Sequence, residues 1–161
     1  MSQTNFDKVI EFNKSFEIEV NDKPQPNIFT DNPELTKLRL DLIKEEVSEL
    51  ITAIKENDFT ETIDALSDIL YVVYGAGASF GIDLNHTMDI VHKSNMTKLC
   101  KTEEEAKKTV EWYKKNSKIY NTPTYKKSKN GDYWIIYNKD SGKILKSINY
   151  TKANFDNVYK K

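Results

Sequence analysis

Residues 34–70 read ELTKLRLDLIKEEVSELITAIKENDFTETIDALSDIL, and this stretch decides the fold. Leu35, Leu38, Leu42, Ile43, Val47, Leu50, Ile51 and Ile54 recur at three- and four-residue steps, which is one apolar stripe on a helix from Glu34 to about Glu56. Pro33 stands at its start, where the amide that proline lacks would have no helical partner anyway. Glu56-Asn57-Asp58 breaks the pattern, and Asp58 reads as the N-cap of a second helix over about 59–80. A connection this short makes the two helices antiparallel neighbours.

The same stretch carries the chemistry. Glu46 and Glu49 are i,i+3 on the first helix; Glu61, Asp64 and Asp68 are i, i+3 and i+7 on the second, so each set lines one stripe. At ~1.5 Å rise per residue, Glu49 lies roughly 10 Å from the turn and Asp64 about 9 Å, so the two face each other. Glu46 and Asp68 pair one turn further down, and Glu61 is left nearer the turn. Acidic residues on helices commonly form a solvated face. Here they stand among core positions, Val47 and Leu50 on one helix and Ile63, Ala65, Leu66 and Ile69 on the other. No Lys or Arg occurs between Lys55 and Lys93 to neutralise them. Carboxylates facing one another in a bundle repel unless a cation intervenes. All-oxygen donors suit Mg²⁺ or Mn²⁺, and carboxylate-bound Mg²⁺ commonly coordinates substrate phosphates. A further carboxylate could then activate water.

On either side of this pair the reading is helical as far as residue 116. Residues 4–19 place Phe6, Val9, Ile10, Phe12 and Phe16 at near-helical spacing, and residues 20–33 hold three of the four prolines and read as a loop. The helix over 59–80 is apolar on most sides after Leu66, which predicts burial in a bundle or at a subunit interface, and Gly75-Ala76-Gly77-Ala78 would admit another helix closely. Asp83 caps a helix over 84–98. Thr102 with Glu105 suggests a capping box for one over 103–116. Beyond Pro123, Tyr133–Tyr137 and Lys143–Ile148 read as the strands of a hairpin about the turn 138–142, with a second turn at Asn130-Gly131. The expected fold class is an all-α helical bundle with a small C-terminal β-hairpin appendage, and the expected domains are 1–116 and 117–161.

Composition narrows the function. The chain has 161 residues and a net charge of -1, which hides an acidic body and a basic tail: residues 1–100 hold nine Lys+Arg against 18 Asp+Glu, and residues 101–161 hold 15 Lys against seven. No stretch approaches the ~20 apolar residues of a membrane span. The opening MSQTNFDKVIEFNK lacks the apolar segment of a signal peptide, and a single cysteine, Cys100, excludes an intrachain disulfide. The expected location is the cytoplasm.

Glu46-Val47-Ser48-Glu49 followed by Glu61-Thr62-Ile63-Asp64 resembles the ExxE…ExxD pattern of the all-α nucleoside triphosphate pyrophosphohydrolases. That superfamily includes MazG, the dimeric dUTPases, the dCTP pyrophosphatases and phosphoribosyl-ATP pyrophosphohydrolase. The surroundings are similar as well: Leu38-Arg39-x-x-Leu42-Ile43-x-Glu45-Glu46, Asp64-Ala65-Leu66-x-Asp68-Ile69-Leu70-Tyr71, and an Asn-x-x-Lys element at Asn95–Lys98. The resemblance covers roughly residues 5–100. It implies a MazG-like bundle and Mg²⁺-dependent cleavage (Mn²⁺ is the alternative ion) of a nucleoside triphosphate to monophosphate and pyrophosphate. Carried over by position, Glu46, Glu49, Glu61 and Asp64 bind metal, Glu45 orients or deprotonates the attacking water, and Asn95 and Lys98 meet substrate. Arg39, seven residues before Glu46 on the same face, is a candidate phosphate contact or a surface ion pair; Asp68 and Lys93 are further candidates. The resemblance also implies a homodimer or a dimer of dimers.

Other readings remain beside it. Phosphoribosyl-ATP is the alternative substrate. Lysines interleaved with Trp112, Tyr113, Tyr120, Tyr125, Tyr133, Trp134 and Tyr137 could mark a nucleic-acid-binding module, although a hairpin packed on helices with a lysine-rich exterior accounts for them more simply. A catalytically dead helical scaffold is the third. His86, His92 and Cys100 match no zinc spacing, and no P-loop is present.

Overall fold

In the computed structural model, which describes residues 3–160, the two long helices form as their pattern requires. α3 (Pro33–Glu56) begins with Pro33 at its first position and with the Asn32 side chain accepting from the Leu35 amide at 3.1 Å. It ends at Asn57, which adopts the left-handed conformation (φ 55°) and turns the chain in one residue. Asp58 caps α4 (Phe59–Phe80), its carboxylate accepting from the Thr60 and Glu61 amides at 2.9 and 3.0 Å. The two helices pack along their length as an antiparallel pair.

By its contacts the chain divides into two compact units. One runs through α4 to Thr87 and takes back the chain from Phe155; the other is Met88–Asn154. The boundary falls inside α5 (Leu84–Met96), not after residue 116. α6 (Glu103–Asn116) shares a core with the β residues, so it belongs to the unit that carries the hairpin.

In the first unit, α1 (Asn5–Ser15) lies on α4, with Val9 buried, the Phe6 ring tilted against Tyr74 at 5.9 Å and the Phe12 ring edge-on to Tyr71 at 5.5 Å. Thr4 and Asp7 close a capping box at its start. The helix stops four residues short of the expected end, because Glu17 turns the chain at φ 56° and the Ile18 amide bonds back to the Asn13 carbonyl at 2.8 Å. The expected loop 20–33 holds one short helix, α2 (Ile28–Asp31). Its early part is tied to the end of α4: the amides of Asn21 and Gln25 donate to the carbonyls of Ala78 and Phe80. Gly81 ends α4 at φ 70° with the Lys23 carbonyl against it; a Cβ there would sit 1.9 Å from that oxygen. At Gly77 a Cβ would meet the Leu84 side chain at 2.6 Å, so the small residues foreseen in α4 do permit close approach. α7 (Asp156–Tyr159) is a single turn near the chain end.

α4 is buried on one side only. Ala65 and Gly75–Ser79 are covered, but Phe59, Ile63, Leu66, Leu70 and Val73, at helical spacing along the opposite side, are exposed in the single chain.

The second unit is built on α6. Ala106, Val110 and Tyr113 pack against Cys100, Ile136 and Leu145. β1 (Pro123–Lys127) and β2 (Trp134–Asn138) form a two-stranded antiparallel sheet with Pro123 opposite Asn138 and Lys127 opposite Trp134. The hairpin therefore closes over Asn130-Gly131, and the expected strand 143–148 is reduced to one bridge, Tyr137 to Ile144. The reason lies in its amides. Those of Lys146 and Ile148 are taken by the hydroxyls of Tyr113 (3.1 Å) and Thr109 (3.2 Å) on α6, so only Leu145 donates back to β2. α5 ends at Met96, two residues early, because the Thr97 and Lys98 amides reach back three residues, to Ser94 and Asn95.

Candidate active site

α3 presents Arg39, Glu46 and Ala53 seven residues apart, and this line is the one α3 turns toward its neighbours: Arg39 and Ala53 are buried and Glu46 is half-buried. One carboxylate oxygen of Glu46, Oε2, is shut off from solvent and has no hydrogen-bond partner. Burial pushes its pKa up, and the charges of Glu49, Asp68, Glu45 and Asp64, in that order, push it further. The two helices have thus brought five carboxylates into one electrostatic neighbourhood centred on Glu46. No ion pair to any of these carboxylates is formed among the described residues.

The members differ in exposure. Glu45, Glu49 and Asp64 are exposed; Glu46 and Asp68 are half-buried. Asp64 and Asp68 of α4 both act on Glu46 of α3, while Glu49 and Asp64, expected to face each other among core positions, are both exposed. Asp68, foreseen as a further candidate, is the second strongest of these charges. Glu61 is not among them; it sits exposed in the first turn of α4, where its amide is held by Asp58. The oxygens do not form a ready-made nest: among the described residues, no group of three or more His, Cys, Asp or Glu side chains is placed to hold a metal ion as it stands. The donor chemistry nonetheless suits a hard cation. A carboxylate oxygen without a hydrogen-bond partner, acted on by four like charges, is a group that a divalent ion would satisfy.

Arg39 proves buried, and among the described residues it forms no ion pair. It is 6% exposed, and its Nε and Nη2 donate to the Ser79 hydroxyl at 3.0 and 2.7 Å, while that hydroxyl donates to the Glu19 carbonyl at 3.0 Å. Burial lowers its pKa. Gly75 leaves the space its guanidinium fills; a Cβ there would lie 3.1 Å from Nη1. Arg39 therefore braces the segment after α1 against α4. Sequence reasoning missed Ser79, one serine in an apolar helix 40 residues from its partner.

Asn95 and Lys98 lie in the second unit, Asn95 exposed and Lys98 half-buried in the turn that closes α5; Lys93 is exposed on α5. His86 and His92 are exposed, and Cys100 is buried with its thiol beside Thr109. Among the described residues no single helix is long and apolar enough to cross a membrane.

Residues 9–95 match the sequence model of a family described as phosphoribosyl-ATP pyrophosphohydrolase. The chain belongs to this family. The match runs from Val9 in α1 into the last turn of α5 and contains every carboxylate of the cluster. The phosphoribosyl-ATP pyrophosphohydrolase family supports nucleotide pyrophosphohydrolase activity, a hydrolase function, for this chain. Lys98 and everything C-terminal to it fall outside the match. The chain is also similar to Uncharacterized protein L479 of Acanthamoeba polyphaga mimivirus, at 31% identity over 96% of this chain and 95% of that protein. That similarity spans the C-terminal unit as well as the family region.

Proposed function

We propose that the protein hydrolyses a nucleoside triphosphate to the monophosphate and pyrophosphate with Mg²⁺, or Mn²⁺, held by carboxylates of α3 and α4. The observation that carries this reading is Glu46, whose buried, unpartnered oxygen sits among the charges of Glu49, Asp68, Glu45 and Asp64. Glu46, Glu49, Glu61 and Asp64 are the proposed ligands, with Asp68 a further candidate. Their side chains must draw together by rotamer change to do so. When bound, the ion supplies charge neutralisation on the phosphate oxygens. Glu45, exposed and one residue from Glu46, is free to hold a water and take its proton. The water oxygen forms a new P–O bond as the α–β anhydride bond breaks, and pyrophosphate leaves. Asn95 and Lys98 are the proposed substrate contacts, with Lys93 a further one.

A second copy of the chain is the proposed partner. Val47, Ile51 and Ile54 on α3, with Phe59, Ile63, Leu66, Leu70 and Val73 on α4, form two exposed apolar stripes on adjacent helices. Soluble monomers seldom leave so continuous an apolar face uncovered. A homodimer, alone or within a dimer of dimers, would bury it. We place the protein in the cytoplasm, where its one cysteine stays reduced.

The family description favours phosphoribosyl-ATP as the alternative substrate. The test is a panel of nucleoside triphosphates and phosphoribosyl-ATP with Mg²⁺, with products identified as monophosphate plus pyrophosphate. Glu49→Gln is expected to abolish pyrophosphate release with the fold intact, and Glu45→Gln to keep metal binding while losing turnover. Full activity in Glu49→Gln removes the metal assignment.

A further inference from the structure

In the Met88–Asn154 unit, 15 lysines stand against seven acidic residues. Several are neutralised locally: Lys107, Lys108 and Lys114 pair with Glu103, Glu104 and Glu111 along α6. Three others are arranged differently. The segment 147–151 is fastened to the end of α5 by hydroxyl groups. Ser94, 8% exposed, donates to the Thr151 carbonyl at 2.8 Å; the Thr151 amide donates to the Thr97 hydroxyl at 2.9 Å; and the Ser147 hydroxyl donates to the Thr97 carbonyl at 2.9 Å. This fastening ties Thr97, the residue before Lys98, to Thr151, the residue between Tyr150 and Lys152. It also holds the Tyr150 hydroxyl 3.2 Å from Ser94 Oγ, and Lys146 Nζ 4.4 Å from the centre of the Tyr150 ring. Among the described residues none of these three lysines is in an ion pair.

The Ser94 hydrogen bond, and then the charges of Lys146, Lys98 and Lys152, hold the Tyr150 phenol below its ordinary pKa. Three cations that all act on one phenol repel one another; the carboxylate held nearby, Glu105, is engaged by the Asn149 side-chain amide at 2.9 Å, and an anion of several charges relieves the repulsion. Flexible ammonium groups round a hydroxyl donor suit tetrahedral phosphate oxygens.

We propose that Lys98, Lys146 and Lys152, gathered about the Tyr150 hydroxyl, form a polyphosphate-binding site that takes the phosphates of a nucleoside triphosphate. Lys146, Tyr150 and Lys152 lie beyond the family-matched residues, so this site is an addition of the C-terminal unit. The proposal rests on the nucleotide reading above, and binding without metal separates the two.

The experiment is calorimetric titration of the full chain with ATP in EDTA, where no turnover can occur, with adenosine and a single-stranded DNA oligonucleotide as the other probes. Wild type is expected to bind ATP and not adenosine. Lys146→Gln/Lys152→Gln, both at exposed positions, is expected to weaken ATP binding by about tenfold for each lysine removed. Lys146→Arg/Lys152→Arg is expected to retain it, and Tyr150→Phe to lose a smaller part. Unchanged ATP affinity in the glutamine variant overturns the proposal, as does lysine-dependent binding of the oligonucleotide without binding of ATP. If ATP binds through these lysines but Mg²⁺ brings no pyrophosphate release, the hydrolase reading fails and the site stands.

Discussion

Replacing Glu46 by glutamine should make the metal-free protein more stable. Glu46 Oε2 is secluded and unpartnered, and four like charges act on the group. Because its pKa is raised in the folded state, the folded chain keeps this proton to higher pH than the unfolded chain does. Stability therefore falls as pH rises past the unfolded value near 4.3, and levels off above the folded value. Glutamine removes the charge, and its amide can donate to a neighbouring carboxylate. An unsatisfied buried acceptor costs about 1–3 kcal/mol. Glu46 is only half-buried as a whole, so the lower end applies, and Glu46→Gln should gain about 1 kcal/mol in EDTA. Urea denaturation at pH 7.5 reads this directly. The order should then reverse with Mg²⁺, because an ion at about a hundred times its dissociation constant stabilises wild type by about 2.7 kcal/mol and the variant by much less. A variant that is less stable than wild type in EDTA, or that gains as much from Mg²⁺, would refute the picture of a strained acidic cluster.

Ser79→Ala should destabilise the first unit by about 2–4 kcal/mol in urea, since it strips the buried Arg39 of both its hydrogen bonds and frees the Glu19 carbonyl. Leu66→Lys or Ile63→Lys should leave the secondary structure unchanged by circular dichroism while shifting the protein from dimer to monomer in sedimentation; a monomeric wild type at the same concentration would dispose of the second-copy proposal. Gly81→Ala should cost about 2 kcal/mol or more, from the positive φ and from the clash with the Lys23 carbonyl, and thermal melting would show it as a lower midpoint.

The α3–α4 hairpin was legible because everything that specifies it is local. The apolar stripe, Pro33, the polar break at Asn57 and the Asp58 cap all act within a turn or two of their own position. The electrostatic neighbourhood followed from the same geometry, since similar distances from one turn let Asp64 and Asp68 of α4 act on Glu46 of α3. Glu61 is not among the charges that act on Glu46, because the same counting leaves it within a turn of Asp58. Arg39 was not legible: periodicity placed it on the face of Glu46, but nothing nearby in sequence announces its burial or a serine as its partner. The β region misled for a related reason. Residues 143–148 have strand-like composition, yet hydroxyls on α6 claim two of the amides that a ladder would need. Apolar character along α4 marked a face to be covered, and it could not say whether the cover comes from the same chain.

The fastening of residues 146–151 has a consequence for deuterium labelling. These residues belong to no helix or strand, so a map of slow exchange drawn from secondary structure alone would leave them blank. Their Lys146, Ile148 and Thr151 amides nevertheless end on the side chains of Tyr113, Thr109 and Thr97. Slow labelling at these three positions would thus report on three side-chain torsions, and a single Thr109→Val change would unlock one amide while its neighbours kept theirs.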